Sequence, residues 1–324
     1  MMERITNQLL SSNHILLASH TNPDGDAVGS TIALGILLSK IDKKIALYNE
    51  SSIPAVYRFL PRVDMIKKSI NPHNVFDTAI ILDCGDLHRI GTMASKVNNI
   101  PTIINIDHHI SNSRFGNFQL IDASASSTAE IIYRLIKKMG IAIDEATATS
   151  IYTGILTDTG SFRFSNTNQA AFAICQEMVE KGVNPSNVAQ NVYGRYSLGR
   201  IKLLNLALDS IEIFHNGELS IMTITQEMLS KTGTRAEDID GLINYARRIE
   251  DVKIAALIHE KQNGRHHSKG SDQFHISLRS DGTVDVAAIA ASFGGGGHPT
   301  AAGFDVQSGL AEIKSNIANL TEKN

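Results

Sequence analysis

The chain has 324 residues, of which 42% are hydrophobic and 19% charged, and a formal net charge of −3. That length accommodates two domains with separate cores, and the balance is that of an ordinary soluble globular protein. It argues against a protein that coats long nucleic acid, which carries a basic field, but leaves room for a short anionic ligand held by a few arginines.

No apolar run approaches the roughly 20 residues of a membrane helix, and the first residues lack a signal-peptide pattern. Cys84 and Cys175 are the only cysteines, so no disulfide framework is implied, which suits a reducing cytoplasm.

In chain order, residues 3–12 predict a short helix and His14 to His20 a strand ending in histidine. Thr21-Asn22-Pro23-Asp24-Gly25-Asp26 is a turn with carboxylates two apart, and Ala27 to Lys40 a buried helix. A plain turn with an aspartate helix cap explains one of these acids. A cation held by His20, Asp24 and Asp26 explains all three, since imidazole and carboxylate are ligands for Mn²⁺, Zn²⁺ or Fe²⁺.

Lys44 to Tyr48 predicts a second strand, and Thr78 to Asp83 a third, with an acid at its end. Thr102-Ile103-Ile104-Asn105-Ile106-Asp107-His108-His109 repeats the design. A β-branched apolar run reads as a buried strand, and unpaired charge at its tip costs several kcal/mol. Solvated loop histidines are one reading. The other is a ligand site, because parallel strands of α/β sheets carry their ligands at such tips.

Ser127-Thr128-Ala129-Glu130 is a capping box, read as purely structural, that opens a helix closed by Gly140. Ala146 to Thr157 predicts a helix that delivers Asp158 from its end, and Asn168 to Lys181 another. Residues 189–208 read as a helical connection between domains. Asn216-Gly217 signals a hairpin, Arg235 to Glu250 a helix, and Val252 to His259 and Gln273 to Arg279 strands. Gln262 to Asp272 is polar and basic and reads as a mobile loop.

Val284 to Phe293 predicts a helix leading into Gly294-Gly295-Gly296-Gly297-His298. Four glycines cannot serve helix or strand stability, so they permit a close backbone approach, for which a phosphate is a natural partner. The expected architecture is α/β. A mainly parallel sheet flanked by helices forms residues 1–188, and a smaller α/β domain with a mixed sheet forms residues 209–324.

The candidate ligands are His20, Asp24, Asp26, Asp83, His108 and Asp158. This set is too large for one cation that must leave room for substrate. It suits two, about 3.5–4 Å apart, with one acid bridging. Oxygen mixed with imidazole favours Mn²⁺ over Ca²⁺ or a thiolate zinc site, and points to phosphoester or phosphoanhydride hydrolysis.

At this point the residues resemble a known family. His20-Thr-Asn-Pro-Asp24-Gly-Asp26, Asp83, Asp107-His108-His109 and Asp158 resemble the four motifs of the DHH phosphoesterases. Gly294-Gly-Gly-Gly-His298 resembles the signature of the DHH-associated C-terminal domain. The combination is similar to the bacterial nanoRNase/pAp phosphatase branch.

The resemblance implies one metal on His20, Asp24 and Asp83, and a second on Asp26, Asp83, His108 and Asp158. Both would be Mn²⁺, with Mg²⁺ or Co²⁺ as substitutes. It implies that Asp107 orients an imidazole from outside the ligand set and that Asp83 and His109 are catalytic, His109 facing the departing oxygen. Arg279, Gly295, Gly296, Gly297 and His298 would hold the distal nucleotide across an interdomain cleft.

The implied activity is release of 5′-mononucleotides from very short oligonucleotides, with pAp 3′-phosphatase activity. pApA or cyclic di-AMP are related substrates, and a cytoplasmic homodimer is the family expectation. A manganese pyrophosphatase or exopolyphosphatase shares the metal motifs, but the glycine-rich loop speaks against it. A non-catalytic nucleic-acid binder is disfavoured by the intact ligand set.

Overall fold

The structure is a computed structural model that describes residues 1–71, 73–194, 196–261 and 273–321. It divides into two compact units, Met1–Arg195 and Tyr196–Asn324.

The first unit runs α1 (Met2–Ser11), β1 (His14–Ser19), α2 (Gly25–Lys40), β2 (Lys44–Tyr48), β3 (Ile66–Lys67), β4 (Thr78–Leu82), α3 (Ala94–Val97), β5 (Thr102–Asp107), β6 (Phe118–Ile121), α4 (Thr128–Lys138), α5 (Glu145–Asp158), α6 (Gln169–Glu180) and α7 (Pro185–Tyr193). Its sheet has six strands in the order β3-β2-β1-β4-β5-β6, every pair parallel. The chain leaves β1 toward β2 on one side and returns to β4 on the other. The carboxyl ends of β1 and β4 therefore border the crevice where such sheets bind ligands.

Strands β1, β4 and β5 are buried on both faces, which is why they read as unbroken apolar runs. Helix α2 is buried from Gly25 to Leu38 because it lies inside the core, against α5 and α4. Its start is fixed by Asp24, whose Oδ1 accepts from the backbone N–H groups of Asp26 (3.1 Å) and Ala27 (3.0 Å).

Glycines let α2 and α5 touch backbone to backbone. A Cβ on Gly29 would lie 2.4 Å from the Ser150 carbonyl oxygen, and one on Gly25 2.3 Å from Thr157 Oγ1. On α5, a Cβ at Gly154 would meet Ala129 Cβ at 2.6 Å and Asp26 Oδ1 at 2.9 Å.

The second unit runs α8 (Leu198–Asp209), β7 (Glu212–Phe214), β8 (Leu219–Ile224), α9 (Gln226–Thr232), α10 (Ile243–Arg247), β9 (Ile254–Glu260), β10 (Gln273–Ser280), α11 (Val286–Ser292), β11 (Gly296–His298), β12 (Ala301–Gln307) and α12 (Leu310–Thr321). Its mixed six-stranded sheet has the order β11-β12-β10-β9-β8-β7, with only β8 and β9 parallel. One face packs on α11 and α12 through Phe274, Ile276, Leu278, Val286, Phe304 and Ile313. The other face is covered by α8, α9 and α10 over β8 and β9.

Three local expectations are corrected. The stretch 189–208 is two helices: Val188 and Val192 of α7 pack in the first core, and Leu203 and Ala207 of α8 in the second. Arg235 to Glu250 is not one helix. A 3₁₀ turn over Ala236–Ile239 is cut off from α10 by Gly241, whose φ of +80° is left-handed. The glycine tract is not wholly irregular, since Gly296–His298 pairs with Ala301–Gly303 as the hairpin β11–β12. The basic stretch 262–272 lies outside the described residues.

Candidate active site

The carboxyl ends of β1, β4 and β5 bring His20, Asp83 and His108 together, and helices α2 and α5 add Asp26 and Asp158. Asp83 is the hub. It is buried, follows directly on β4, and has φ +51°, a left-handed conformation that aspartate tolerates better than most residues. Its Oδ2 lies 3.6 Å from His20 Nε2, and its Oδ1 lies 3.7 Å from His108 Nε2 and 3.6 Å from His109 Nδ1. The two oxygens thus face different imidazoles. Asp24 Oδ1 is 4.0 Å from His20 Nε2, and Asp158 Oδ2 is 3.5 Å from His108 Nε2.

These separations are too long for hydrogen bonds. They match donors that share an ion, since two atoms each about 2.1 Å from one cation lie roughly 3.0–4.2 Å apart. The trios His20–Asp24–Asp83 and Asp26–Asp83–His108 each keep their ligand atoms within 4.8 Å of one another, and Asp83 belongs to both.

The electrostatics fit the same reading. Burial raises the pKa of Asp26 well above the ordinary carboxylate value, and the negative charges of Asp83, Asp158 and Asp24 raise it further. Asp158 is pushed up to about 7 by burial and by Asp24 and Asp83, against the pull of His108. Burial acts on Asp83 in the same direction, but His20, His109 and His108 outweigh it and hold the carboxyl far below its usual range. Crowded buried carboxylates of this kind are neutralised by protons or by cations, and oxygen mixed with imidazole is a donor set for divalent metals.

The tautomers are set from behind. His20 Nδ1 is 2.9 Å from the Thr21 carbonyl oxygen, which leaves Nε2 toward Asp83. Asp107 Oδ1 accepts from the His108 backbone N–H (2.8 Å) and pairs with His109 Nδ1 (2.6 Å), while its Oδ2 accepts from Asn112 Nδ2 (2.6 Å). Burial opposes protonation of His109, but Asp107 and Asp83 prevail and lift its pKa to about 9.

Arg279, Gly295, Gly296, Gly297 and His298 lie in the second unit. There Arg279 of β10 and His298 of β11 both pair with Ala301 of β12, in one row across the sheet.

Residues 14–155 match the DHH family, N-terminal domain, and residues 219–323 match the DHHA1 domain. The chain is 31% identical to a bifunctional oligoribonuclease and PAP phosphatase NrnA of Thermus thermophilus, over 89% of this chain and 83% of that protein. The chain belongs to the DHH family of phosphoesterases. It is a hydrolase. Its identity to the protein of the same name from Bacillus subtilis is 27%, covering 91% of this chain and 90% of that one. The crystal structure of an exopolyphosphatase-related protein from Bacteroides fragilis superposes with a TM-score of 0.89 at 28% identity, covering 99% of this chain and 95% of that one.

In this DHH phosphoesterase the box at Ser127 is more than a helix start, contrary to the expectation. Ser127 Oγ does accept from the Glu130 N–H (3.2 Å). The next two N–H groups, of Thr128 and Ala129, bind Asp26 Oδ2 and Oδ1 at 2.6 and 2.8 Å, and Thr128 Oγ1 donates to Asp83 Oδ1 at 3.0 Å. The positive end of α4 is thus spent on Asp26, and the Thr128 hydroxyl on Asp83.

Asn166 was also missed. Its Nδ2 donates to Asp158 Oδ2 (3.0 Å) and to the Ser126 carbonyl (2.8 Å). Nothing in the polar stretch around Asn166 distinguishes it in the sequence, whereas Asn112 sits in a polar run directly after the histidine pair. Arg89 is exposed, and its charge opposes protonation of both His20 and His109.

Proposed function

We propose that this DHH phosphoesterase is a cytoplasmic, Mn²⁺-dependent enzyme that hydrolyses very short oligonucleotides to 5′-mononucleotides and removes the 3′-phosphate of pAp. pApA and cyclic di-AMP fall within the same chemistry, and the working form is a homodimer. The observation that carries this reading is Asp83, whose two oxygens face different imidazoles as a bridging ligand would. Relatives named as bifunctional oligoribonuclease and PAP phosphatase support the substrate class.

On this reading His20, Asp24 and Asp83 hold one ion, and Asp26, Asp83, His108 and Asp158 the other. Bound ions of this type activate water and neutralise phosphoryl oxygens. Asp107 engages His109 Nδ1, so Nε2 is left to give its proton to the departing oxygen as the phosphorus–oxygen bond breaks. Arg279 and the segment Gly295–His298 hold the remote end of the substrate, so that its binding energy orients the reacting end.

One assay tests this. pAp, pApA, cyclic di-AMP, RNAs of 2 to 24 nucleotides and pyrophosphate are offered with Mn²⁺, with Mg²⁺ or Co²⁺ in its place, and with a chelator. Fast turnover of dimers and pAp is expected, abolished by the chelator. Pyrophosphate as the preferred substrate would overturn the reading.

A further inference from the structure

The chain that leaves β2 ties down two loops at the edge of the acidic cluster. Asn49 Nδ2 donates to the His20 carbonyl (2.8 Å), and Ser51 Oγ accepts from the Asn22 N–H (2.8 Å). The loop that carries His20 and Asp24 is therefore held from this side. Glu50, between them, turns to the other loop, the 3₁₀ stretch Leu87–Met93 that follows Asp83.

Glu50 Oε2 accepts from the Thr92 N–H, from Thr92 Oγ1 (3.0 Å) and from the Tyr48 hydroxyl (3.4 Å). The approach is close enough to require a glycine. Gly91 has φ +83°, and a Cβ placed there would lie 1.9 Å from Glu50 Oε2. Glu50 is half-buried and has no ion pair among the described residues, so its carboxylate is committed to this turn.

What the turn carries is Arg89. Its carbonyl accepts from the Thr21 N–H (2.7 Å), and its N–H donates to the Asp86 carbonyl (3.0 Å), so the backbone is fixed on both sides. Asp86 Oδ1 in turn accepts from the His88 N–H (2.8 Å) and caps the start of the stretch.

The Arg89 side chain is the opposite case. It is exposed and has no hydrogen bond or ion pair among the described residues. Its charge nevertheless reaches both His20 and His109, which come from the ends of two different strands. A guanidinium on a fixed backbone, beside the ligand cluster and engaged by none of it, is placed for an anion that arrives from solution. In a phosphoesterase that anion is the phosphoryl group, whose oxygens gather charge in the transition state and are stabilised by arginine clamps.

We infer that Arg89 binds the non-bridging oxygens of the phosphoryl group being hydrolysed, and that Glu50 is the positioning residue that holds the Arg89 turn in place. The inference rests on the phosphodiesterase reading and adds a cation at the reacting group, separate from the distal anchor assigned to Arg279. Such a cation serves every substrate alike, whatever lies beyond the scissile bond.

The test compares Arg89→Ala, Glu50→Ala and the double variant on pApA and on bis(p-nitrophenyl) phosphate, a phosphodiester without a distal nucleotide. Binding of Mn²⁺, and of inorganic phosphate to the Mn²⁺-loaded protein, is read by calorimetry. Arg89→Ala should lower kcat/KM roughly 10- to 150-fold on both substrates, the worth of one charge-assisted hydrogen bond. It should weaken inorganic phosphate as well, and leave Mn²⁺ affinity and melting temperature at the wild-type values. Arg89→Lys should recover part of the loss, since it restores the charge without the planar fork.

Glu50→Ala should reproduce most of that loss with Mn²⁺ affinity retained, because Asn49 and Ser51 hold the His20 loop without it. In the double variant the two losses should not multiply, since both act through one guanidinium. Should Glu50→Ala fail to fold, Glu50→Gln, which keeps an acceptor oxygen, takes its place with a smaller loss.

A loss confined to pApA would make Arg89 a nucleotide contact and overturn the inference. So would losses that multiply in the double variant, or a Mn²⁺ affinity that falls as far as kcat/KM does. A wild-type enzyme that prefers pyrophosphate, with the same dependence on Arg89 and Glu50, would retain the clamp and overturn the proposed function instead.

Discussion

Asp107 Oδ1 and His109 Nδ1 lie 2.6 Å apart, and the carboxylate is wholly buried. Asp107 therefore acts on the histidine assigned to the departing oxygen. Asp107→Asn keeps the size and loses the charge. We expect kcat on dinucleotides to fall by roughly 10- to 100-fold while Mn²⁺ affinity changes little. A Mn²⁺ titration that shifts as far as kcat does would place Asp107 in support of the metal instead.

Asp83→Ala should be the most damaging single change, because it takes a ligand from both ions. Wild-type protein should bind two Mn²⁺ per chain and gain thermal stability, about 2.7 kcal/mol for a site filled at 100 times its Kd. The variant should bind at most one and gain little. Stoichiometry by calorimetry and melting with and without Mn²⁺ decide this; two tight ions in the variant would contradict it.

Thr128→Val removes the hydroxyl on Asp83 Oδ1 without altering the helix start, because the backbone N–H to Asp26 stays. Mn²⁺ affinity should fall by roughly 10-fold or more. A variant that loses stability but binds Mn²⁺ normally would show the contact to be structural.

Arg279→Ala should lower kcat/KM on dinucleotides by roughly 10- to 150-fold, the worth of one charge-assisted hydrogen bond. A small phosphodiester without a distal nucleotide should be almost unaffected. With a net charge of −3, the wild-type enzyme should favour about two to five nucleotides and cleave 24-mers slowly. Faster cleavage of 24-mers than of dimers would be the contrary result.

Acid stability tests a different pair of carboxylates. Burial alone would push Asp144 up, but the Thr147 hydroxyl and N–H and Lys40 Nζ at 3.0 Å hold it at about 2. Asp305 is also held at about 2, chiefly by His275, against burial and with help from Lys261. A carboxyl lowered in the folded state stabilises fully above its unfolded pKa of about 3.9 and loses that contribution as pH falls toward 2. Asp144→Asn keeps an oxygen for the helix cap, so it should cost a small amount of melting temperature at pH 7 and nothing near pH 2. A penalty that persists at pH 2 would mean that the cap, not the charge, was lost.

The strands that carry the site were legible because each combines a β-branched run with an ionisable residue at its end, as in Thr78 to Asp83. Periodicity has no access to backbone sign. The left-handed turn at Asp83 therefore left no trace, whereas the break at Gly241 was signalled by Asp240-Gly241 inside Arg235 to Glu250, a turn pair that helical periodicity does not weigh. The box at Ser127 misled for another reason. Its pattern is local, whereas the partner of Thr128 is Asp26, 102 positions away.

The glycines between α2 and α5 have a consequence for how this protein tolerates mutation. Gly25 and Gly29 let the helix bearing Asp26 sit against the helix bearing Asp158, with Gly154 as the matching hollow. None of the three has a side chain that could bind an ion. A methyl group added at Gly29 would wedge the helices apart and splay two carboxylates that the core otherwise holds in register. Random mutagenesis scored on activity should therefore return inactivating changes along this seam, in chains that still fold and retain every metal-binding side chain.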